Sequence, residues 1–422
     1  MSHLDIKRGR QPNDPAAGYL LDLFEEVRTA NTHTISAHLA DTGFSDITHY
    51  GLLALGLTAI KGTSPVDAAK ALGMTKEAAR EITEMLVKHG YLQFPESVHE
   101  HGRPRAAITD RGIAAISSGQ AGVMAARWTD FPFRADDIVI STMPKSGTTW
   151  IQTICALLIF QTPELPAPLA ELSPFMDWIG HRRSQIYAEL ASQKHRRFIK
   201  THQPLAVMPG ESPATFIVMA RDPLDMALSS YYHWRLVDRV INSQQSSQPE
   251  DPRQWLLDEI DALETPLRER DGFLTRAFRH LCGAWPRRGE PNIMLLHYES
   301  LSADLEGEMR RLASRLGIVV PESTWPSLVK AATFEQMRAA ANRLRPLREL
   351  DELADGQTEF FRHGASGDGR ALLTKAEFAR YCDLAARLAP PSLLAWLLRN
   401  NEESPLNANG ANRDKKSNDG SE

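Results

Sequence analysis

The sequence predicts an α/β fold, a mainly parallel sheet with flanking helices over residues 131–400, preceded by a mostly helical domain over 1–118. Three observations carry this. From about residue 128, short apolar β-branched runs alternate with segments of helical apolar spacing, the pattern of strands joined by crossover helices. Several of those runs end in polar, turn-forming residues, where an open parallel sheet presents its carboxyl edge. Upstream, the apolar spacing is helical and a single hairpin interrupts it.

Composition bounds the rest. A chain of 422 residues has room for two or three domains. A net charge of −5 gives no overall attraction to nucleic acid or anionic lipid. Cys155, Cys282 and Cys382 lie far apart, without metal-ligand spacing or a disulfide framework, which fits a reducing compartment. The polar amino terminus lacks the apolar core of a signal peptide, and no run of about 18 apolar residues offers a membrane span. The expectation is a cytoplasmic protein with no membrane partner.

In the first domain, residues 18–39 and 47–59 have helical apolar spacing. Ser64 caps a helix with Pro65 at its first position; Leu72-Gly73-Met74 makes a turn; Thr75 caps the next helix and Gly90 ends it. Residues 103–109 read as a returning hairpin strand, and Asp110 to Ile116 as a helix. This series, closing in Ile-Thr-Asp-Arg-Gly, resembles a MarR-type winged helix-turn-helix domain. The resemblance implies a motif helix in the DNA major groove. That helix, however, sets Lys76, Arg80 and Lys88 against Glu77, Glu81 and Glu84, whereas a phosphate-binding face is clearly basic. The hairpin does carry His99, His101, Arg103 and Arg105. An interaction or dimerisation module is favoured over DNA binding, a homodimer being one form it could take. Ser117-Ser118-Gly119-Gln120-Ala121-Gly122 reads as the start of a linker, taken as 119–130, and the polar residues 401–422 as a disordered tail.

In the second domain, strands are expected at 137–142, 197–201, 215–220 and 292–297. Helices are expected at 148–160, 223–235, 302–316 and 376–398. The polar or proline-rich stretches 161–180 and 235–255 read as flexible walls of an acceptor pocket.

Residues Asp137 to Trp150 hold the most informative segment. An apolar run leads into Pro144-Lys145-Ser146-Gly147-Thr148-Thr149-Trp150 and then into helical spacing. A strand, a small-residue turn and a helix start aim backbone N–H groups and the positive end of the helix dipole at one place. Lys145 adds a full charge there, and Ser146, Thr148 and Thr149 add hydroxyls. The loop differs from the nucleotide-triphosphate loop G-x-x-x-x-G-K-[ST]: its lysine precedes the glycine and no glycine opens it.

Pro-Lys-Ser-Gly-Thr-Thr-Trp resembles the 5′-phosphosulfate loop of the sulfotransferase family, whose donor is 3′-phosphoadenylyl sulfate (PAPS). Three further segments resemble the family in the same order. Lys200-Thr201-His202 closes an apolar strand. By resemblance, His202 is the general base and Lys200 assists at the sulfuryl group; Gln203 stands where many members have an apolar residue. Arg221, with Ser229 eight residues on, matches the family's 3′-phosphate site. Arg362-His363-Gly364 resembles the family's C-terminal loop, with Arg362 and the Gly364 amide closing over that phosphate; His363 stands for the usual lysine and Gly369 for tryptophan. Trp150, Tyr298 and Phe334 match the residues that contact the base. The resemblance covers roughly 270 residues. It implies a P-loop-like sulfotransferase fold and in-line transfer of a sulfuryl group from PAPS to a hydroxyl or amine of a small-molecule acceptor. It assigns catalysis to His202, Lys145, Lys200 and Ser229, and needs no metal. Two other readings compete: a transcription regulator whose second half senses a nucleotide, and a kinase-like phosphotransferase. The kinase-like reading lacks its loop and its magnesium carboxylates.

Overall fold

The computed structural model describes residues 32–61, 64–67, 72–94, 107–178, 181–241, 249–264, 272–345, 356–362, 364 and 366–398. The expected tail at 401–422, His363, and residues 18–31 and 103–106 of two expected elements lie outside them.

The chain begins with helices α1 (Thr32–Asp41), α2 (His49–Lys61) and α3 (Lys76–Lys88). Thr75 caps α3 by accepting from the Ala78 amide, and Gly90 follows it at φ +74°. Helix α3 buries Ala79, Thr83 and Leu86 and leaves Arg80 and Glu84 exposed, paired at 3.3 Å. A short antiparallel hairpin, β1 (Leu92–Gln93) with β2 (Ala107–Ile108), leads into α4 (Asp110–Thr129).

Helix α4 corrects the linker expected at 119–130: the segment is helical through Thr129. The small residues that suggested a loop are contact points between helices. A Cβ on Gly119 would lie 2.3 Å from Leu52 Cδ2 of α2, and one on Gly122 would lie 3.4 Å from Ile35 Cα of α1. Ile113, Ile116, Val123 and Met124 of α4 join the core built by α1 and α2. One turn later, Trp128 is buried in the core of the following sheet. One helix therefore belongs to two cores.

The sheet is parallel throughout, in the order β4-β3-β5-β6, with β3 (Ile138–Thr142), β4 (Phe198–Thr201), β5 (Thr215–Ala220) and β6 (Ile293–His297). All four strands match the expected segments to within a residue. Alternate side chains feed opposite faces, as a period of two demands. Val139, Ile199, Phe216 and Val218 enter one core, and Ile138, Ile140, Phe198 and Ile217 the other. The first core is closed by α6 (Arg183–Ser192), α7 (Pro223–Ile241), α8 (Pro252–Ala262), α9 (Phe273–Ala284), α11 (Lys375–Leu388) and α12 (Pro391–Leu397), and the second by α5 (Thr148–Phe160) and α10 (Leu305–Leu316). At the amino edge, buried Arg197 is paired with buried Asp137, and each thereby offsets the cost of burying the other.

Three expectations shift. The helix expected at 302–316 is two, Tyr298–Ala303 and Leu305–Leu316, because Asp304 leaves helical geometry to cap the second at the Gly307 amide. The helix expected at 376–398 breaks at Ala389-Pro390, where α12 starts with Pro391. The helix expected at 223–235 runs on to Ile241. The supposed flexible wall at 161–180 contains a short helix, Leu169–Leu172, and a piece bound to the sheet edge: Phe175 bridges Lys200, and the Met176 amide donates to the Lys200 carbonyl at 2.9 Å. Of the other wall, 235–241 is helical, 252–255 opens α8, and 242–248 lies outside the described residues.

Candidate active site

Every strand of the sheet delivers a candidate residue at its carboxyl end: Lys145 after β3, His202 after β4, Arg221 after β5 and Tyr298 after β6. Since β4 and β5 flank β3, the chain leaves β3 to opposite sides, and such a switch point opens a crevice at the carboxyl edge.

The loop between β3 and α5 is drawn tight by one carbonyl. Met143 O accepts from the Ser146 amide at 3.3 Å and the Ser146 hydroxyl at 2.8 Å. The Thr148 hydroxyl lies 2.8 Å from that of Thr142. Lys145 takes φ +68° and Gly147 φ +105°, which turns the backbone toward the start of α5 and its unpaired first N–H groups. Glycine is required at 147: a Cβ would lie 2.6 Å from Met219 Cε and 3.1 Å from Tyr298 Cδ2.

Four cations surround this loop, each against an aromatic face. Lys145 Nζ lies 4.1 Å from the Phe360 ring centre, Lys200 Nζ 4.2 Å from that of Phe175, Arg221 4.3 Å from that of Tyr298 and Arg362 4.4 Å from that of Tyr232. Arg221 also donates to the Lys145 carbonyl at 3.4 Å. Burial above all, then the charges of Arg221, Lys200 and Arg362, push the Lys145 ammonium down to about 7. Among the described residues no carboxylate pairs with it. An anion held between these groups would relieve their mutual repulsion.

His202 is fixed at both ends. Its amide donates to Asp177 at 2.6 Å, and its Nδ1 lies 2.6 Å from the Thr142 carbonyl. A carbonyl has no proton to give, so Nδ1 carries the hydrogen and the neutral ring keeps its lone pair on Nε2. Phe175 meets the ring edge-on at 4.9 Å. Burial, then the neighbouring Lys200 charge, hold His202 well below its ordinary value, so it is neutral at pH 7.

The remaining candidates divide. Trp150, Tyr298, Phe334 and Gly364 come together: Trp150 meets Tyr298 edge-on at 5.1 Å, the Tyr298 hydroxyl donates to the Gly364 carbonyl at 3.1 Å, and a Cβ on Gly364 would lie 2.7 Å from Phe334. The Trp150 indole N–H donates to Ala332 O at 2.8 Å. Arg362 bonds Asp368 at 3.3 Å. Thr149 is half-buried beside the loop. Ser229 is half-buried on α7, and no hydrogen bond among the described residues ties it to the others. Gln203 turns inward, buried, its carbonyl accepting from Ser141 at 2.7 Å.

Sequence reasoning missed three residues. Asp177, buried, accepts from the Thr201 hydroxyl at 2.9 Å as well as from the His202 amide; burial lifts it to about 6 against those bonds. It sits in a stretch with no periodicity to reveal it. Asp225, in the first turn of α7, accepts from the Gly367 and Gly369 amides at 2.8 Å each. It reads in sequence as an ordinary acidic helix start. His233 on α7 is half-buried, its Nδ1 has no hydrogen-bond partner among the described residues, and burial and then Lys145 hold it well below the ordinary range. Gly369, standing where the family has tryptophan, leaves no room for a side chain, because a Cβ there would lie 2.5 Å from the Leu224 backbone.

Among the described residues no cluster of His, Cys, Asp and Glu suits a metal ion, and no helix is long and apolar enough to cross a membrane. Residues 135–387 match the sulfotransferase domain family. A glycolipid sulfotransferase of Mycobacterium bovis is 35% identical over 305 residues, covering 64% of this chain and 90% of that protein. Sulfotransferase 1C2 of rabbit, Oryctolagus cuniculus, is 27% identical over 261 residues, covering 60% of this chain and 83% of its own length. A retinol dehydratase solved with androsterone and the inactive cofactor PAP shares the fold at a TM-score of 0.51 and 24% identity, covering 64% of this chain and 84% of that one. With more than half its length matching the family, and the four strand ends furnished as described, the chain belongs to the sulfotransferase family.

Proposed function

We propose that the chain moves a sulfuryl group from PAPS to a hydroxyl or amine of a small-molecule acceptor, with His202 as general base. The observation that carries this is the His202 tautomer: a hydrogen-bonded Nδ1–H and a lone pair on Nε2, at the sheet edge that also gathers Lys145 and Lys200. PAPS supplies the transferable sulfuryl group and a phosphate leaving group. The residues present suit such a donor. Lys145, Gly147, Thr148 and Thr149 would face its phosphosulfate end, while Ser146, its amide and hydroxyl both given to the Met143 carbonyl, holds the loop's shape. Arg221, Ser229, Arg362, His363 and Gly364 hold its 3′-phosphate. Trp150, Tyr298 and Phe334 flank its base. The solved relative holding PAP supports this donor class. His202 takes the acceptor proton on Nε2 as the acceptor oxygen or nitrogen attacks. Lys145, the loop amides and Lys200 balance the negative charge that grows at the leaving side. Arg221 and Ser229 fix the line of attack.

Base catalysis of this kind contributes about 10²–10⁴-fold. His202→Ala is expected to bind adenosine 3′,5′-bisphosphate as the parent does and to lose turnover by about that factor. Undiminished sulfation by that variant refutes the base assignment. The relative's name directs the first acceptor screen to glycolipids, beside simple alcohols, phenols and amines.

For residues 1–118 we propose a winged-helix module that mediates contact between subunits, in a cytoplasmic protein. The order helix, helix, helix, hairpin, helix and the charge-balanced outer face of α3 support this reading over DNA recognition.

A further inference from the structure

Helix α4 ends inside the sheet domain with a buried arginine. Arg127 is 2% exposed. Its Nη1 donates to the carbonyls of Met176 at 2.6 Å and Trp178 at 2.9 Å, and its Nη2 to that of His181 at 2.8 Å. The Tyr187 hydroxyl closes the arrangement from α6 by donating to the Arg127 carbonyl at 2.6 Å. One guanidinium thus gathers three carbonyls from a stretch of six residues. A planar fork splits them two and one between its terminal nitrogens, in fixed directions; an ammonium would have to serve them all from a single atom.

The gathered stretch is the one that positions His202. On one flank it is bonded to β4, through the Met176 amide to Lys200 O at 2.9 Å and the Lys200 amide to Pro174 O at 3.1 Å. Between the Arg127-bound carbonyls of Met176 and Trp178 stands Asp177, whose carboxylate receives the His202 amide and the Thr201 hydroxyl. Phe175, two residues before it, packs on the His202 ring and under the Lys200 ammonium. The path from Arg127 to the backbone amide of His202 is therefore two hydrogen bonds and one residue long.

Arg127 precedes the matched family segment, which opens at 135, and rides on the helix whose earlier turns complete the core of α1 and α2. We propose that Arg127 is a positioning residue for His202, and that through α4 the first domain sets the orientation of the imidazole, and with it the reach of Nδ1 to the Thr142 carbonyl that fixes the tautomer. This rests on His202 being the base. It extends that reading by naming what holds the base in place and by giving the N-terminal domain a part in the reaction.

The test uses the full chain with Arg127→Lys and Arg127→Met, and reads the His202 ring by ¹⁵N–¹H NMR, its signals assigned by their loss in His202→Ala. The parent is expected to show a single Nδ1–H tautomer. Arg127→Met, folded by circular dichroism, is expected to show mixed tautomers. Turnover with a phenol acceptor should fall by about tenfold to a hundredfold with little change in the affinity for adenosine 3′,5′-bisphosphate. Arg127→Lys keeps the charge but loses the fork, and is expected to lie between the two. Should Arg127→Met fail to fold, Arg127→Lys decides alone: an unaltered His202 tautomer and unaltered kcat in that variant overturn the proposal. A folded Arg127→Met with the parental tautomer overturns it as well. The two readings fail separately, since full activity in His202→Ala removes the base while the tautomer shift on changing Arg127 would stand.

Discussion

Lys145 carries two penalties at once. It is a side-chain-bearing residue at φ +68°, a conformation that costs about 1–3 kcal/mol, and a buried ammonium among three other cations. With its pKa pushed down to about 7 from an ordinary 10.5, binding an anion against it would be a protonation event. A bound anion raises the pKa again, so the sign is fixed. Below about 7 the ammonium is already charged and affinity is full; above it, each binding event must take up a proton. Affinity for adenosine 3′,5′-bisphosphate is expected to fall by up to about tenfold per pH unit above that point. Calorimetry at pH 8 in buffers of different ionisation enthalpy should register the proton taken up. A flat pH profile would show that the Lys145 ammonium either stays charged at pH 8 or stands apart from the anion. Lys145, His202 and Arg221 were legible in sequence because each stands at the exit of an apolar run, where little but a ligand calls for polarity. Asp177 and Arg127 were not. Their partners are mostly backbone amides and carbonyls, which look alike in every residue and leave no trace in the sequence.

Among the elements, the C-terminal loop owes its place to α7. The Asp225 carboxylate receives two amides of that loop, and Gly369 lies so close to Leu224 that no side chain fits between. Hydrogen bonds to a charged group contribute about 1.5–3 kcal/mol each. Asp225→Ala is therefore expected to release residues 366–371 and to weaken adenosine 3′,5′-bisphosphate binding about tenfold or more, visible as faster amide exchange there and a higher Kd. Parental exchange rates would show that the carboxylate does not hold the loop. The four strands were readable because buried β-branched runs bounded by polar turns have few alternatives. Helix ends were harder. Asp304 and Pro390 each stop one helix beside the start of another, and apolar spacing runs through both breaks. The glycines and serines of α4 deceived in the opposite direction, since a close helix crossing selects the same small residues as a loop.

Across the whole molecule, the family match leaves the first domain outside, yet α4 makes the two cores share a helix. Among the described residues of the first domain, α3 presents Arg80 paired to Glu84, and the whole chain is net −5, which favours little phosphate binding. A mobility-shift assay at two salt concentrations is expected to show no retained duplex DNA at physiological ionic strength. Salt-dependent retention of a duplex would instead assign α3 and its hairpin to DNA.

Phe360 comes from the far end of the chain to rest on Lys145. That ring helps keep water away from the ammonium, and the want of water is the foremost reason the charge is held so lightly there.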